Sequence, residues 1–205
     1  SLIEHGDAHV AEQELKDLIR LVETFGFYLM KLDLRQESTR HTEAVSELLQ
    51  GEGVDYQSLD ENERLEQLVT LLTETHQFVT DAPYPAETQE TLDVFRVIAE
   101  MRYMISPQAF GSYVISMTHT ASHVLEVLVL AQQHGLLGQD KDGQRFCHIT
   151  VAPLFETIED LAHIEQVLST LLDIPLYREL LRVYEEESDA AVPLSHRLDV
   201  PFTIP

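Results

Sequence analysis

The chain has 205 residues, 44% of them hydrophobic, which is enough for one domain with a sizeable core and too apolar for a disordered segment. Thirteen Lys and Arg stand against 36 Asp and Glu, a formal charge of −23. A surface that acidic repels phosphate backbones and anionic lipid heads, so neither nucleic-acid binding nor docking on an acidic membrane is expected. The single cysteine, Cys147, cannot form an internal disulfide or a Cys-x-x-Cys zinc site. It reads as a packed residue in a reducing, cytoplasmic setting. No signal peptide is expected. The longest apolar run, Val124 to Ala131 with Glu126 inside it, is too short to span a bilayer.

In chain order, Leu15, Leu18, Ile19 and Val22 recur at helical spacing and Gly26 ends that helix. Phe27 to Leu34 (FYLMKLDL) reads as a strand. A second helix starts near Thr39, carries Ala44, Val45, Leu48 and Leu49, and stops at Gly51 and Gly53. Ser58 to Glu61 reads as a capping box ahead of Leu65, Leu68, Val69 and Leu72. Pro83 and Pro85 mark a loop, and Leu92, Phe95, Ile98 and Met101 form the next helical stripe. Gly111 precedes a strand over Ser112 to Met117, rich in extended-chain formers. Thr118 or Thr120 is expected to cap the following helix, which is apolar almost all round and therefore buried, and which Gly135 stops. Residues 138–145 read as an exposed loop, and His148 to Phe155 as a third strand. Thr157 and Asp160 cap a helix bearing Leu161, Ile164, Leu168 and Leu171. The acidic run Glu185, Glu186, Glu187 and Asp189, followed by Pro193, Pro201 and Pro205, reads as an irregular tail. Two parts are therefore expected, 1–182 and 183–205.

Strands alternating with helices predict an α/β fold with a parallel sheet of about three strands, the opening of a doubly wound sheet or part of a β/α barrel. No Gly-x-Gly-x-x-Gly follows the first strand, so a dinucleotide site has no support. In a barrel, chemistry gathers at the C-terminal strand ends. The first strand ends LDLRQEST, placing Arg35 there. Its forked donors suit a phosphate or carboxylate, or else a salt bridge to Glu37 or Glu43. The third ends APLFET, placing Glu156 there. It is either a hard oxygen ligand for Mg²⁺ or Mn²⁺ or an acid steadying a helix N-terminus. After the second strand, His119 and His123 have the spacing of two zinc ligands, but no third ligand is evident and two polar residues are the plainer reading. Ser38, Thr39 and Thr42 fit capping and turns.

These stretches also carry a family resemblance. Phe25 to Leu49 (FGFYLMKLDLRQESTRHTEAVSELL) resembles the LD-[IL]-RQESTRHTEA stretch of the phosphoenolpyruvate carboxylases. Gly111 to Leu136 resembles their YVISM-x-x-x-x-SDVL segment, with His123 where the family usually has Asp. Val151 to Leu161 (VAPLFETIEDL) and Leu171 to Leu181 (LLDIPLYRELL) continue the match, in the family's order. The resemblance covers about Ile3 to Leu181. It implies part of an α/β (TIM-like) barrel from an enzyme that makes oxaloacetate and phosphate from phosphoenolpyruvate and bicarbonate with Mg²⁺ or Mn²⁺, as a homotetramer. It implies that Arg35 contacts the substrate's anionic groups and that Glu156 binds the metal.

The family's THPT-like, GYSDS-like and HGRGGS-like motifs do not occur in this chain. One carboxylate is a poor Mg²⁺ site, so the chain alone is expected to be inactive and to bind metal weakly. Open strand edges and apolar helix faces predict self-association. A non-catalytic binding or assembly protein descended from the barrel is the alternative.

Overall fold

The structure, a computed structural model, describes residues 14–26, 30–78 and 83–191, with side chains as far as Tyr184. Its elements are α1 (Glu14–Phe25), β1 (Leu32–Glu37), α2 (Ser38–Gln50), a 3₁₀ turn (Tyr56–Ser58), α3 (Glu61–Thr73), α4 (Ala86–Met104), β2 (Phe110–Ser116), α5 (Ser122–Gln133), β3 (Leu137–Gln139), β4 (Arg145–Cys147), β5 (Thr150–Pro153), α6 (Ile158–Asp173) and α7 (Pro175–Ala191). β1, β2 and β5 form one parallel sheet in that order, joined by helical crossovers, and β3 and β4 form a separate antiparallel hairpin. The fold is thus α/β with three parallel strands and a majority of helix, the arrangement of part of a β/α barrel.

The core lies on one side of the sheet. Tyr113 and Ile115 of β2 point into it and meet Phe95 of α4, whose ring stacks on Tyr113 with centroids 5.1 Å apart. α5 is buried on nearly every face and packs on α2 and α3. On the opposite face of β1, Asp33, Arg35 and Glu37 alternate outward and are exposed. Parallel sheets are ordinarily covered on both faces. Here, among the described residues, the second face is exposed along β1 and half-buried along β2 and β5, as the inner wall of an unclosed barrel would be.

β1 does not start where its apolar run suggested. Phe27 to Leu29 lie outside the described residues, and the strand extends past Leu34 through Arg35, Gln36 and Glu37. Its register with β2 sets Leu32 against Phe110 and Leu34 against Tyr113, so Gly111 and Ser112 together oppose Asp33. The Asp33 carboxylate accepts the Ser112 N–H at 2.7 Å, where the bulge leaves it without a ladder partner. A side chain on Gly111 would collide with that carboxylate. Gly111→Ala is therefore expected to displace Asp33, orphan the Ser112 N–H and cost about 1–2 kcal/mol, measured as a lower urea midpoint.

Four further expectations need correction. The box capping α3 is Asp60 with Glu63, because the 3₁₀ turn takes up Ser58, whose hydroxyl bonds to the Asp55 carbonyl. Neither Thr118 nor Thr120 caps α5. Glu61 of α3 does so from across the core, accepting the Ser122 N–H at 2.9 Å and its hydroxyl at 2.7 Å. The segment 138–145 is not a loop throughout, since β3 and β4 turn around Asp140, which accepts the N–H of Asp142 and of Gln144. The acidic run is helical, because α7 continues to Ala191. By contrast Thr157 and Asp160 cap α6 as expected, each side chain accepting the other's N–H at 3.0 Å.

Candidate functional site

The C-terminal ends of β1, β2 and β5 form one rim. Met117, just past β2, holds φ +54°, a region that a residue with a side chain occupies only under constraint. Two contacts supply it. Ser38 at the start of α2 donates its hydroxyl to the Met117 carbonyl at 2.7 Å, and the Thr118 N–H bonds to the Leu154 carbonyl beyond β5. The turn after β2 is thereby pinned to the strand ends on both sides. Ser38 is thus a rim tie rather than a cap.

On this rim Arg35 and Glu156 meet. Arg35 projects from β1 onto the open face, and Glu156 lies between β5 and the Thr157 cap of α6. The Arg35 guanidinium donates to a Glu156 carboxylate oxygen across the end of β2. The Arg35 side chain is 59% exposed and Glu156 32%, so both are open to solvent. Glu37 lies two residues further on the same face and has no contact with Arg35 comparable to this one.

Near this pair, the Asp160 carboxylate accepts a hydrogen bond from His119 Nδ1 at 2.6 Å, and the His119 backbone N–H donates to His123 Nδ1 at 3.3 Å. The His119 hydrogen bond, reinforced by Thr157, draws the Asp160 carboxyl down to about 2. Burial, with His119 alongside, holds the His123 imidazole down at about 4. Each histidine uses its Nδ1 on the protein itself, and among the described residues no group of three His, Cys, Asp or Glu forms around them. The reading of Asp160 as a cap only missed this second partner. The signal for it is weak, a histidine in the loop after one strand and an acid at the third position of the next helix.

Behind the rim lie two buried polar chains. Tyr113 gives its proton to Gln36 Oε1 at 2.7 Å, so the 2.9 Å contact with His41 requires a proton on His41 Nε2. His41 Nδ1 is then a buried acceptor without a hydrogen-bond partner. Burial, with His123 nearby, holds this imidazole neutral, down at about 3. The other chain centres on Glu126, fully buried in α5, which accepts the Thr42 hydroxyl at 2.8 Å and the Tyr56 hydroxyl at 2.9 Å. Burial pushes its carboxyl up to about 7, against the pull of those two bonds. Cys147 is buried in β4 with its thiol toward the Ile149 carbonyl, the packed role its sequence suggested.

The donor set does not by itself suit a divalent cation. Among the described residues no group of three His, Cys, Asp or Glu converges, and Glu156 already faces a guanidinium.

In β/α barrels the C-terminal strand ends, the rim on which Arg35 and Glu156 meet here, are where chemistry gathers. The chain belongs to the phosphoenolpyruvate carboxylase family, whose model matches residues 1–191. It is 39% identical over 184 residues to the phosphoenolpyruvate carboxylase of Roseiflexus castenholzii, an alignment covering 88% of this chain and 19% of the relative. It is 41% identical over 185 residues to that of Mycobacterium avium, covering 88% and 20%. For that of Rhodothermus marinus the identity is 40% over 174 residues, covering 80% and 18%. The chain thus spans about a fifth of the length of these relatives. Among the described residues no helix is long and apolar enough to cross a membrane.

Proposed function

We propose that this chain is the part of a phosphoenolpyruvate carboxylase that brings one substrate-binding arginine, Arg35, and one metal carboxylate, Glu156, to the barrel rim. The whole protein would make oxaloacetate and phosphate from phosphoenolpyruvate and bicarbonate, as a cytoplasmic homotetramer using Mg²⁺ or Mn²⁺. The observation that supports the reading is the contact between Arg35 and Glu156 at the ends of β1 and β5. Both residues stand on the inner face, where a closed barrel would exclude water and strengthen their electrostatics.

The roles follow from the chemistry of the two groups. The planar guanidinium presents parallel N–H donors to an oxyanion. One of those donors, on Nη2, is taken by Glu156, so an anionic substrate would bind Arg35 in competition with that carboxylate. Glu156 would then supply one oxygen ligand, and residues outside this chain would supply the others. The chain alone therefore holds neither a complete metal site nor enough cations for a multiply charged substrate.

A non-catalytic binding or assembly protein descended from the barrel is the second reading. One exchange separates the two. This chain is substituted for the matching stretch of the Roseiflexus castenholzii relative, and oxaloacetate formation is followed. The carboxylase reading expects an active chimera, inactivated by Arg35→Ala and by Glu156→Ala. A folded, correctly assembled chimera without activity favours the second reading. An active chimera indifferent to both substitutions rejects the site.

A further inference from the structure

Two consecutive residues of the turn after β2 reach the segment that carries Glu156, one on each side of it. The Thr118 N–H donates to the Leu154 carbonyl at 3.1 Å, two residues before Glu156. His119 Nδ1 donates to Asp160 Oδ1 at 2.6 Å, and Asp160 Oδ2 accepts the N–H of Thr157, the residue after Glu156, at 3.0 Å. Glu156 therefore lies between two anchors set by one turn, the first through the main chain and the second through a side chain.

That turn is itself fixed to the strand of Arg35. Ser38, three residues after Arg35, holds the Met117 carbonyl, and Met117 keeps its φ of +54°. His119 is steadied by His123, whose Nδ1 accepts its N–H and whose ring meets its ring edge-on, with centroids 5.9 Å apart. The path from Arg35 to Glu156 thus runs through Ser38, Met117, His119 and Asp160. His119 does little for the core, its side chain being 46% exposed. Asp160 is only 6% exposed, so the oxygen that His119 serves has little water to turn to.

We infer that His119 is a positioning residue, which acts through Asp160 and Thr157 to set where the Glu156 carboxylate meets the Arg35 guanidinium. Its Nδ1–H takes one oxygen of Asp160 and so aims the other at the Thr157 N–H. Without it the Asp160 carboxylate turns freely, the second anchor slackens, and Glu156 no longer keeps its place opposite Arg35. An exposed ion pair is weak and does not fix its own geometry, so precise placement depends on the groups that support it. The inference rests on the carboxylase reading for what the pair does, but not for how the pair is held.

Three variants of the 205-residue chain test it by ¹⁵N NMR, with Arg35→Lys used only for assignment. The parent is expected to show a Thr157 amide protected from exchange and, at low temperature, an Arg35 Nη resonance slowed by its contact with Glu156. His119→Ala is expected to lose both. His119→Asn, whose amide N–H replaces the Nδ1 donor, is expected to keep both. His76→Ala removes a 2.6 Å contact with Glu52 on other elements, and is expected to keep both, which separates positioning from a general loss of stability. In the chimera, His119→Ala is expected to lower kcat by about 10²-fold with KM for phosphoenolpyruvate changed far less, because a displaced pair still attracts the anion but no longer holds it in the reactive position. Resonances unmoved in His119→Ala overturn the inference, as does their loss in His119→Asn or in His76→Ala. An active chimera in which His119→Ala leaves kcat intact overturns it too. An inactive parent chimera rejects the carboxylase reading alone, and the two resonances then decide the positioning.

Discussion

Arg35→Ala in the chimeric carboxylase is expected to lower kcat/KM by about 10²–10³-fold, the cost of removing one strong, pre-aimed donor from a site where negative charge must be held. The surroundings make the loss hard to compensate. On the same face of β1 the neighbours of Arg35 are Asp33 and Glu37, both acids, so removing the guanidinium reverses the local sign of charge. Arg35→Lys keeps the charge but not the planar fork, and an intermediate loss is expected. Stability should hardly change. The Arg35–Glu156 pair is largely exposed, and exposed pairs contribute about 0–1 kcal/mol. A loss of activity with an unchanged melting profile therefore reports on the site rather than on folding, and both quantities come from the same preparation.

Glu126→Ala is expected to destabilise the chain by about 2–4 kcal/mol in urea unfolding, through a buried void and a Tyr56 hydroxyl left without an acceptor. Tyr56 is fully buried, so water cannot replace the lost partner. Thr42 loses less, because its hydroxyl also reaches the Ser38 carbonyl at 3.3 Å. Glu126→Gln isolates the charge. Burial raises the carboxyl from 4.5 in the ordinary case to about 7 in the fold, so the folded state holds a proton that the unfolded state has released. The stabilisation is complete below pH 4.5, declines as pH rises toward 7 and is gone above it. Between pH 4 and 8 the unfolding free energy of the parent chain should therefore fall relative to that of Glu126→Gln, the difference between the two chains removing the opposing contribution of His41. Equal slopes in the two would show that Glu126 ionises normally. His41 acts in the opposite sense. Its folded value of about 3 against 6.5 means stability lost as pH falls through that window, so the two groups bracket the optimum from either side.

Much of this architecture is visible in the sequence where one periodicity runs long enough to be read. The all-apolar stretch of α5 announces its burial, and the stripe Leu92, Phe95, Ile98 of α4 lies in the core as its spacing predicts. Short and two-sided elements are less legible. β3 and β4 have three residues each, too few for alternation to stand out from a polar loop. Hydrophobicity alone points to FYLMKLDL for β1, but pairing with β2 decides its bounds within the described residues. The polar residues Arg35 to Glu37 remain in the strand because one face of the sheet is open. Ser58–Glu61 and Asp60–Glu63 both match a capping box, and only the 3₁₀ turn selects between them. The acidic run after Tyr184 stays helical because glutamate is a good helix former and no proline intervenes before Ala191.

The candidate site divides along similar lines. Arg35 and Glu156 stand out because a parallel α/β pattern puts strand ends on one rim, although no rule of spacing foretells that the two touch across 121 residues. Glu126 was visible only as a break in an apolar run, since its partners Thr42 and Tyr56 lie 84 and 70 residues away. The contact of His119 with Asp160, and the N-terminal cap that Glu61 provides for α5, likewise depend on tertiary approach. Local pattern carries the elements here, and long-range pairing carries the chemistry.

The proposed division of labour, with Arg35 and Glu156 in this chain and the remaining ligands outside it, is tested most directly by the purified chain itself. It is supplied with phosphoenolpyruvate, bicarbonate and Mn²⁺, and oxaloacetate is followed through coupled NADH oxidation. The account predicts no turnover above that of Glu156→Ala, because one carboxylate and one rim arginine complete neither the metal site nor the anion site. Turnover that Glu156→Ala abolishes would contradict it, and would mean that this chain carries a complete carboxylase site.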